Sequence, residues 1–489
     1  MLFEIGPSGA GKSKCISTLA NSLNDIEELS VKVIKLNPKS ITDAQMFGKV
    51  DAATNDWSDG IFSSLWRKTI KNKKNISWLI LDGPVDPNWI ENLNSVLDDN
   101  KILTLANGDR LPMASEMKLI FEPQNVDNAS PATVSRCGMV YMSSSGLNWK
   151  PQVASWILKG KFFGKQEKLL KDLFQKSFTK VYKFSVLNLK YVMKVLEVNV
   201  LHTLFSLLES LLPRGDLQDI TDEFEAASTR SVSSRKDFEE DNPVIEHQYE
   251  QVYIFALLWA IGGYLENSDR LLLHNFVSQN INLNLPEFGD DNIFDFYFDC
   301  KSNQWIHWKE EIANYRPPDV NPQTYGNLLI PNKSSLRINF LMQSVTSCGD
   351  NILLLGIQGS AKTTLINNCF KSFNSEEYIL MNRNFSSTTT PQTFQKSIEN
   401  NIEKRMGNIF GPQNGKKMNM FVDDLNIPEI NLWGDQPTNE FFRALIEMKG
   451  FYSLGKIIYK IFLAFHNIFN MYIPQKNLEN FISLWTLNL

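Results

Sequence analysis

Residues 6–13 read Gly6-Pro7-Ser8-Gly9-Ala10-Gly11-Lys12-Ser13, a complete G-x-x-x-x-G-K-[ST] loop. The apolar run Leu2-Phe3-Glu4-Ile5 precedes it and predicts a β-strand. After the loop, apolar residues recur at helical spacing and predict an amphipathic helix with a buried face of Ile16, Leu19, Ala20 and Leu23. A strand, a glycine-rich loop and a helix in this order cradle phosphate, because glycines let backbone N–H groups turn inward and the helix N-terminus is electropositive.

The loop also predicts a metal-dependent nucleotide site. Lys12 would reach the β- and γ-phosphates of ATP, and Ser13 would ligate Mg²⁺. The apolar run 78–81 predicts a buried strand that ends at Asp82, whose carboxylate would hold the water shell of the Mg²⁺. The alternative is a chance glycine loop before a helix, but here the motif agrees with its strand and helix context.

The residue after Asp82 predicts weak turnover at this first site. P-loop ATPases of the AAA+ type usually have a glutamate there, which polarises the attacking water. This chain has Gly83, which carries no base. Asp86 lies farther along and would need a different geometry. We therefore expect the first site to bind ATP with little or no hydrolysis.

A second, weaker loop occurs towards the C-terminus. Its residues are Gly356, Ile357, Gln358, Gly359, Ser360, Ala361, Lys362 and Thr363. Ala361 stands where the motif has its last glycine. The context of the first loop is repeated, however, by an apolar run at 351–355 and by a helix face of Ile366, Cys369, Phe370 and Phe373.

The second loop has its own acidic strand, at 418–424. Asp423 would join Thr363 in holding Mg²⁺, and Asp424 follows in the position of the general base. Since aspartate is one methylene shorter than glutamate, we expect slow hydrolysis at this second site.

Composition excludes several classes of protein. The 489 residues are 43% hydrophobic and 21% charged, which is typical of a soluble globular protein. The net charge of -5 argues against a nucleic-acid partner. No run approaches the ~20 apolar residues of a membrane span. Five widely spaced cysteines form no zinc signature.

The two loops predict an α/β fold of tandem P-loop modules, each a parallel sheet flanked by helices, with a helical region between them. The predicted parts are a first P-loop subdomain, a helical lid or extension, a second P-loop subdomain and a tail, at 1–148, 149–320, 321–456 and 457–489. Residues 216–242 are charged and serine-bearing, and we interpret them as a flexible surface insertion. Phosphorylation of its serines is a less favoured alternative.

Longer motifs carry a family resemblance. They are residues 37–42 (NPKSIT), 54–62 (TNDWSDGIF), 82–86 (DGPVD), 89–101 (WIENLNSVLDDNK) and 130–139 (SPATVSRCGM). This series resembles the second AAA+ module of a dynein heavy chain of the axonemal type. Residues 423–429 (DDLNIPE) and 433–436 (WGDQ) resemble the third module, most closely that of outer-arm chains.

The resemblance implies a segment of a ring motor that uses ATP for minus-end-directed movement along microtubules in cilia and flagella. In that family the second module binds ATP without turnover and the third is regulatory. The implied partners are the other AAA+ modules of the same heavy chain, dynein intermediate and light chains, and microtubules, which are contacted through parts absent here. The implied location is the cytoplasm and the cytoskeleton of the axoneme. No nucleic acid or membrane is expected as a partner.

The resemblance also assigns two further site residues. Glu122 matches the sensor that faces the γ-phosphate, and Arg136 matches an arginine finger that reaches the nucleotide of the preceding module. The alternative for Arg136 is a surface ion pair. The fingers for both sites of this chain are expected to lie outside it.

The resemblance ends at residue 456. Residues 457–489 are apolar, rich in Ile, Asn and Phe, and without dynein likeness, although a divergent helix is an alternative. Two other functions are compatible with parts of the sequence. One is a structural segment that binds nucleotide without motor activity by itself. The other is a transporter ATPase pair, which is disfavoured because the chain has no LSGGQ-like signature.

Overall fold

The computed structural model describes residues 1–26, 30–72, 74–160, 162, 164–212, 243–281, 285, 289, 291–313, 316, 330–356, 359–453, 459–462 and 465–472. Within them, two parallel sheets are joined by a helical region. The predicted insertion at 216–242 lies outside the described residues, as do residues 473–489 of the tail.

The first sheet carries the first loop at the end of strand β1. The N-terminal strands are β1 (Leu2–Ile5), β2 (Val31–Leu36), β3 (Gly48–Val50), β4 (Trp57–Asp59), β5 (Ile76–Leu81), β6 (Ile102–Thr104), β7 (Arg110–Pro112), β8 (Met117–Phe121) and β9 (Gly138–Tyr141). Five of them form a parallel sheet in the order β2-β5-β8-β1-β9. The pairs β3–β4 and β6–β7 are separate antiparallel hairpins.

Helices cover this sheet. They are α1 (Lys12–Asn24), α2 (Asp43–Phe47), α3 (Ile61–Lys71), α4 (Pro87–Ile90), α5 (Asn94–Leu97) and α6 (Pro131–Ser135), with short 3-10 turns at Pro38–Ser40, Glu91–Leu93 and Ser144–Gly146. Strand β5 is buried along nearly its whole length, which explains its continuous apolar run.

Helix α1 packs through a narrower face than predicted. Ile16 and Ala20 are buried against the sheet, whereas Leu19 is 54% exposed. The prediction of Leu19 as a buried residue was therefore wrong. Helical spacing gives the candidate face, but the width of the covering surface decides which flanking residues are buried.

The helical region has its own core. Its helices are α7 (Trp149–Lys159), α8 (Lys165–Leu173), α9 (Thr179–Asn188), α10 (Glu197–Leu211), α11 (Pro243–Gly262) and α12 (Asn267–Asn280). A π-helical turn, Phe174–Phe178, joins α8 to α9. After a 3-10 turn at Ile293–Asp295, the hairpin of β10 (Phe296–Asp299) and β11 (Gln304–His307) packs on the same aromatic and aliphatic core. Val198 of α10 lies so close to the first loop that a Cβ at Gly9 would meet its Cγ1 at 2.7 Å.

The second P-loop sheet follows the helical region. Its helices are α13 (Trp308–Ala313), α14 (Lys333–Ser347), α15 (Lys362–Lys371), α16 (Pro391–Glu399) and α17 (Pro437–Met448), with a 3-10 turn at Gln413–Gly415. Its strands are β12 (Ile352–Gly356), β13 (Tyr378–Asn384), β14 (Ile402–Met406), β15 (Ile409–Pro412), β16 (Lys417–Asp423), β17 (Gly450–Tyr452), β18 (Tyr459–Phe462) and β19 (Phe465–Tyr472). The apolar face predicted for α15 is confirmed, since Ile366, Cys369 and Phe370 are buried.

The two parallel sheets share one strand order. The second runs β12-β19-β16-β13, which matches β1-β8-β5-β2 of the first. The tandem α/β P-loop fold predicted from the sequence is therefore confirmed. The boundaries given to its parts, at residues 148, 320 and 456, stay predictions.

The predicted tail contributes two strands. Strand β18 joins a smaller sheet in the order β14-β15-β18-β17, and β19 takes the place that β8 has in the first sheet. The helix alternative is wrong for the described part of this tail. The rest of the interpretation, that it lies outside the family pattern, stays a prediction.

Candidate functional site

The first loop wraps around its own lysine. Gly9 and Gly11 have left-handed backbones with φ of 76° and 91°, and Gly11 is the N-cap of α1. The Lys12 ammonium donates to the carbonyl oxygens of Gly6 at 2.6 Å and Pro7 at 3.1 Å. Ser8 is buried and accepts a hydrogen bond from Gln124 Nε2 at 2.8 Å. The eight predicted loop residues thus form one cradle at the end of β1.

A cavity of about 510 Å³ opens beside this cradle, and this volume suits a small-molecule ligand. The first sheet lines it with loop residues 8–14 and the side chains of Lys35, Asp82 and Glu122. The second sheet's part of the chain adds Trp433, Glu440, Arg443 and Glu447. The first site is therefore built from both P-loop parts of the chain.

An ammonium group lies among the predicted metal ligands. Lys35, near the end of β2, places its Nζ 2.8 Å from Asp82 Oδ2, 3.2 Å from Glu122 Oε2 and 3.3 Å from Ser13 Oγ. Ser13 Oγ in turn donates to Glu122 Oε2 at 3.1 Å. We predicted Ser13 and Asp82 to hold Mg²⁺ here. In this structure they do not fit that metal, because a cation already contacts both of them.

The charges around Lys35 keep it protonated. Burial alone would lower the pKa of Lys35, but the carboxylates of Asp82 and Glu122 raise it above its usual range. Burial lowers the pKa of Lys12, against the opposing influence of Glu122 and Asp82. Glu122, assigned by resemblance as a sensor, thus lies within the site at the end of β8.

Gly83 carries no base, and neighbouring atoms crowd the space where a side chain at this position would begin. A Cβ placed on Gly83 would meet Asn37 Oδ1 at 2.8 Å and Pro38 Cδ at 3.3 Å. Asn37 is itself held, since its Nδ2 donates to Glu440 Oε2 at 2.7 Å. Any side chain at position 83 would therefore press on the 37–38 turn at its Cβ.

Asp86 does not substitute for the missing base. Its side chain is buried, pairs with the Lys39 ammonium and accepts a hydrogen bond from Trp89 N at 3.3 Å as the N-cap of α4. Lys39 also contacts Asp435 Oδ2 at 2.8 Å. Asp86 is thus a structural residue of the contact between the two P-loop parts.

Arg443 on α17 reaches the first site from the second sheet. Its Nη1 lies 3.4 Å from Asp82 Oδ1 and 3.0 Å from Glu447 Oε2, and its Nη2 lies 3.0 Å from Glu440 Oε2. Nη2 also donates to the backbone oxygen of Asp82 at 3.2 Å. Burial would lower the pKa of Arg443, but Glu440, Asp82 and Glu447 raise it further above its ordinary value. We expected any trans-acting arginine for this site to lie outside the chain, so this guanidinium is a finding of the tertiary structure.

Glu447 makes this contact sensitive to pH. Burial, opposed by Arg443 and reinforced by Asp82, raises the pKa of Glu447 to about 7. A carboxyl whose pKa is higher in the folded state contributes stability below its unfolded pKa and loses it as pH rises through the folded value. The pKa of Asp82 is lowered to about 2, so its own contribution is lost only in acid.

We therefore expect Glu447→Gln to gain stability relative to the parent chain as pH rises from 5 to 8, because glutamine cannot ionise. The measurement is the difference in thermal midpoint between the two chains at each pH. The exposed Glu91→Gln is the matched control. A difference that stays constant across this range would contradict the assignment.

The described residues of the second loop repeat the left-handed positions of the first, with alanine at one of them. Gly359 and Ala361 have φ of 75° and 61°, and Ala361 is the N-cap of α15. Lys362 Nζ donates to the Gly356 oxygen at 2.9 Å and contacts Ser360 Oγ at 3.4 Å. Ile357 and Gln358, also predicted for this site, lie outside the described residues.

The predicted metal ligands of the second site lie together. Thr363 Oγ1 donates to Asp423 Oδ2 at 2.9 Å. A hydroxyl beside a carboxylate at the start of a loop helix is the donor set that P-loop proteins offer to Mg²⁺, so these residues fit the metal.

Asp424, the predicted base, is exposed next to them with a left-handed φ of 56°. Burial and the charge of Asp423 raise the pKa of Asp424, while Lys362 lowers it. Its carboxylate is therefore a stronger base than an ordinary aspartate.

Replacing Ala361 with glycine tests the strain in the second loop. A left-handed backbone is unfavourable for alanine and free for glycine, so Ala361→Gly is expected to stabilise the second P-loop part by about 1 kcal/mol. The reciprocal Gly11→Ala is expected to destabilise the first part, since its Cβ would also meet Leu147 Cδ1 at 2.8 Å. Thermal unfolding measures both, and a neutral or destabilising Ala361→Gly would contradict the strain.

Arg136 is not among the residues that line the cavity of the first site. Its Nε is 2.6 Å from Asp98 Oδ1, and both side chains are about a third or more exposed, at 32% and 41%. This contact is a surface ion pair, the alternative interpretation of Arg136. The role of Arg136 as a finger for a preceding module stays a prediction.

Three residues of the first site were not predicted from the sequence. They are Lys35, Arg443 and Glu447. None belongs to the loop or acidic-strand motifs. A basic residue on the strand next to the acidic strand was a usable signal for Lys35. Arg443 and Glu447 gave no local signal, because their role depends on how α17 packs against the first sheet.

Family models match most of the chain. The "AAA domain (dynein-related subfamily)" matches residues 2–137, the "Dynein heavy chain AAA lid domain" matches 170–310, and the "P-loop containing dynein motor region" matches 318–481. The last match includes β18, β19 and most of the predicted tail.

Individual relatives agree. The chain is 44% identical over 461 residues to "Dynein axonemal heavy chain 5" of Rattus norvegicus, covering 93% of this chain and 12% of that protein. It is 42% identical over 460 residues to "Dynein axonemal heavy chain 8" of Homo sapiens, covering 93% and 10%. It is 41% identical over 458 residues to "Dynein gamma chain, flagellar outer arm" of Chlamydomonas reinhardtii, again covering 93% and 10%.

This chain spans about a tenth of the length of these relatives. In the described part of the chain, no helix combines the length and apolar character needed to cross a membrane. The chain has two P-loop sheets and a lid region that a dynein family model matches. The relatives named above are dynein chains, and each aligns with 93% of this chain. The chain belongs to the dynein heavy chain family and is a segment of its AAA motor region.

Proposed function

We propose that the first site binds ATP and retains it with little hydrolysis. The observation that carries this proposal is Gly83 itself, which has no side chain to act as a base and whose Cβ position is crowded by Asn37 and Pro38. The cradle, Lys12 and the cavity supply phosphate binding, which needs no base. Oε1 of Glu122 is buried without a hydrogen-bond partner among the described residues, so it can accept from a water beside the nucleotide.

The second site is proposed as a slow, regulatory ATPase. Lys362 binds phosphate, and Thr363 with Asp423 would hold Mg²⁺, which neutralises phosphate charge when bound. Asp424 orients the attacking water and accepts its proton. The raised pKa of Asp424 supports this role, since a stronger base accepts the proton more readily.

In the intact heavy chain, these sites serve ATP-driven, minus-end-directed movement along microtubules. The axonemal and flagellar names of the relatives support a cilium or flagellum as the location. The proposed partners are the other AAA+ modules of the same heavy chain, intermediate chains and light chains, as the family resemblance implies. Arg136 then serves the preceding module. By itself the segment is a nucleotide-binding structural unit. Gly83 favours this interpretation because it supplies no base and its Cβ position is crowded.

The test compares ATP binding with phosphate release in the full chain. Lys12→Ala is expected to weaken ATP binding at the first site by about 10–100-fold, because charge-assisted contacts to phosphate are lost. Phosphate release should hardly change in that variant and should fall in Lys362→Ala. Brisk release that survives Lys362→Ala would overturn the assignment of the first site as non-hydrolytic.

A further inference from the structure

Lys35 is surrounded by the groups that a P-loop normally offers to a metal. Its ammonium contacts Asp82 at 2.8 Å, Glu122 at 3.2 Å and the Ser13 hydroxyl at 3.3 Å. The Lys35 side chain is only 22% exposed. Two carboxylates and the loop serine thus converge on one positive charge inside the cavity.

The other oxygen of Asp82 is also engaged. Arg443 Nη1 lies 3.4 Å from both Asp82 Oδ1 and Asp82 Oδ2, the second of which also contacts Lys35. Mg²⁺ needs oxygen ligands in near-octahedral order at ~2.0–2.1 Å, directly or through its waters. A divalent cation beside Ser13 and Asp82 would therefore repel the two cations that already contact Asp82.

We propose that the Lys35 ammonium takes the place of the divalent cation at the first site, so that this site binds a nucleoside triphosphate without Mg²⁺. The inference rests on the nucleotide binding proposed above. An ammonium supplies one positive charge and three N–H donors for phosphate oxygens. It holds phosphate without forming an activated, metal-bound assembly, in keeping with a site that lacks a base.

The second site provides an internal comparison. In the first sheet Lys35 pairs with Ile80, two residues before Asp82. In the second sheet the same register places Asn382 opposite Phe421, two residues before Asp423. Asn382 is uncharged, and Asp423 bonds directly to Thr363. The second site should therefore keep an ordinary requirement for Mg²⁺.

The experiment measures ATP affinity of the full chain in Mg²⁺ and in EDTA, with one site disabled at a time. In Lys362→Ala, which reports the first site, affinity should change less than about threefold between the two conditions. In Lys12→Ala, which reports the second site, EDTA should weaken binding by about tenfold or more.

Lys35→Met is then added to Lys362→Ala. Methionine keeps the length of the side chain without its charge. The expected result is a loss of about tenfold in EDTA, largely recovered by Mg²⁺, which can now approach Asp82 and Glu122. Lys35→Arg should retain binding in EDTA. Lys32→Met, an exposed lysine on the same strand, is the matched control, and thermal midpoints confirm that each variant is folded.

Three outcomes would overturn the proposal. One is a first site that loses affinity in EDTA as strongly as the second site does. Another is a Lys35→Met variant that behaves like Lys32→Met. The third is a Lys362→Ala chain that binds no ATP even with Mg²⁺. That result would also refute the proposed function, whereas the first two outcomes would leave ATP binding at the first site intact.

Discussion

Arg443→Met is expected to lower the free energy of unfolding by about 3–5 kcal/mol, the usual cost of removing one partner from a buried ion pair. Asp82, Glu440 and Glu447 would lose a guanidinium that lies within 3.4 Å of each of them. The repulsion among these three acidic side chains at the contact between the two P-loop parts would then be relieved only in part, by Lys35 at Asp82. Urea unfolding of the full chain measures this loss.

Two further variants sharpen the test of Arg443. Arg110→Met, an exposed arginine on β7, should change stability by less than about 0.5 kcal/mol. Adding Glu447→Gln to Arg443→Met should recover part of the loss, because one unpaired carboxylate is removed, and a double-mutant cycle gives the coupling. If Arg443→Met is as mild as Arg110→Met, the ion-pair cluster does not hold the two parts together.

Gly83→Glu is expected to impair the first site and not to create a hydrolytic one. Its Cβ alone would lie 2.8 Å from Asn37 Oδ1, so the 37–38 turn must shift at a cost of about 1–3 kcal/mol. The added carboxylate would also enter a cavity that already contains those of Asp82 and Glu122. We expect weaker ATP binding and no increase in phosphate release when the variant is made in the Lys362→Ala chain.

The control for crowding at Gly83 is Gly146→Ala, since a Cβ at Gly146 meets nothing within 4 Å. Gly83→Ala should already be destabilising, whereas Gly146→Ala should be nearly neutral. Phosphate release by Gly83→Glu above that of the parent would show that the site lacks only a base, and that its surroundings do not prevent hydrolysis.

Much of the fold could be predicted from short stretches of sequence. Strands β1, β5 and β16 and the helices after the two loops were predicted correctly, because apolar periodicity acts over a few residues. That the two loops bind phosphate stays a prediction. The prediction of Leu19 as buried failed because it needed the extent of a neighbouring surface. Strand β19 lies in the segment that we predicted to have no dynein likeness, yet it takes the position between β12 and β16 in the second sheet, and a dynein family model matches it.

The local sequence alone predicted two glycine-rich loops, each between a strand and a helix, and it determined that the first acidic strand has no glutamate after Asp82. Tertiary structure decided what surrounds that first cradle. It brought Asn37 to Glu440 across 403 residues and Arg443 to Asp82 across 361 residues. It also directed Lys35 towards Ser13, Asp82 and Glu122 from a neighbouring strand. Motifs report the chemistry of neighbours along the chain, whereas the charge balance of a buried site depends on residues that only packing brings within a few ångströms.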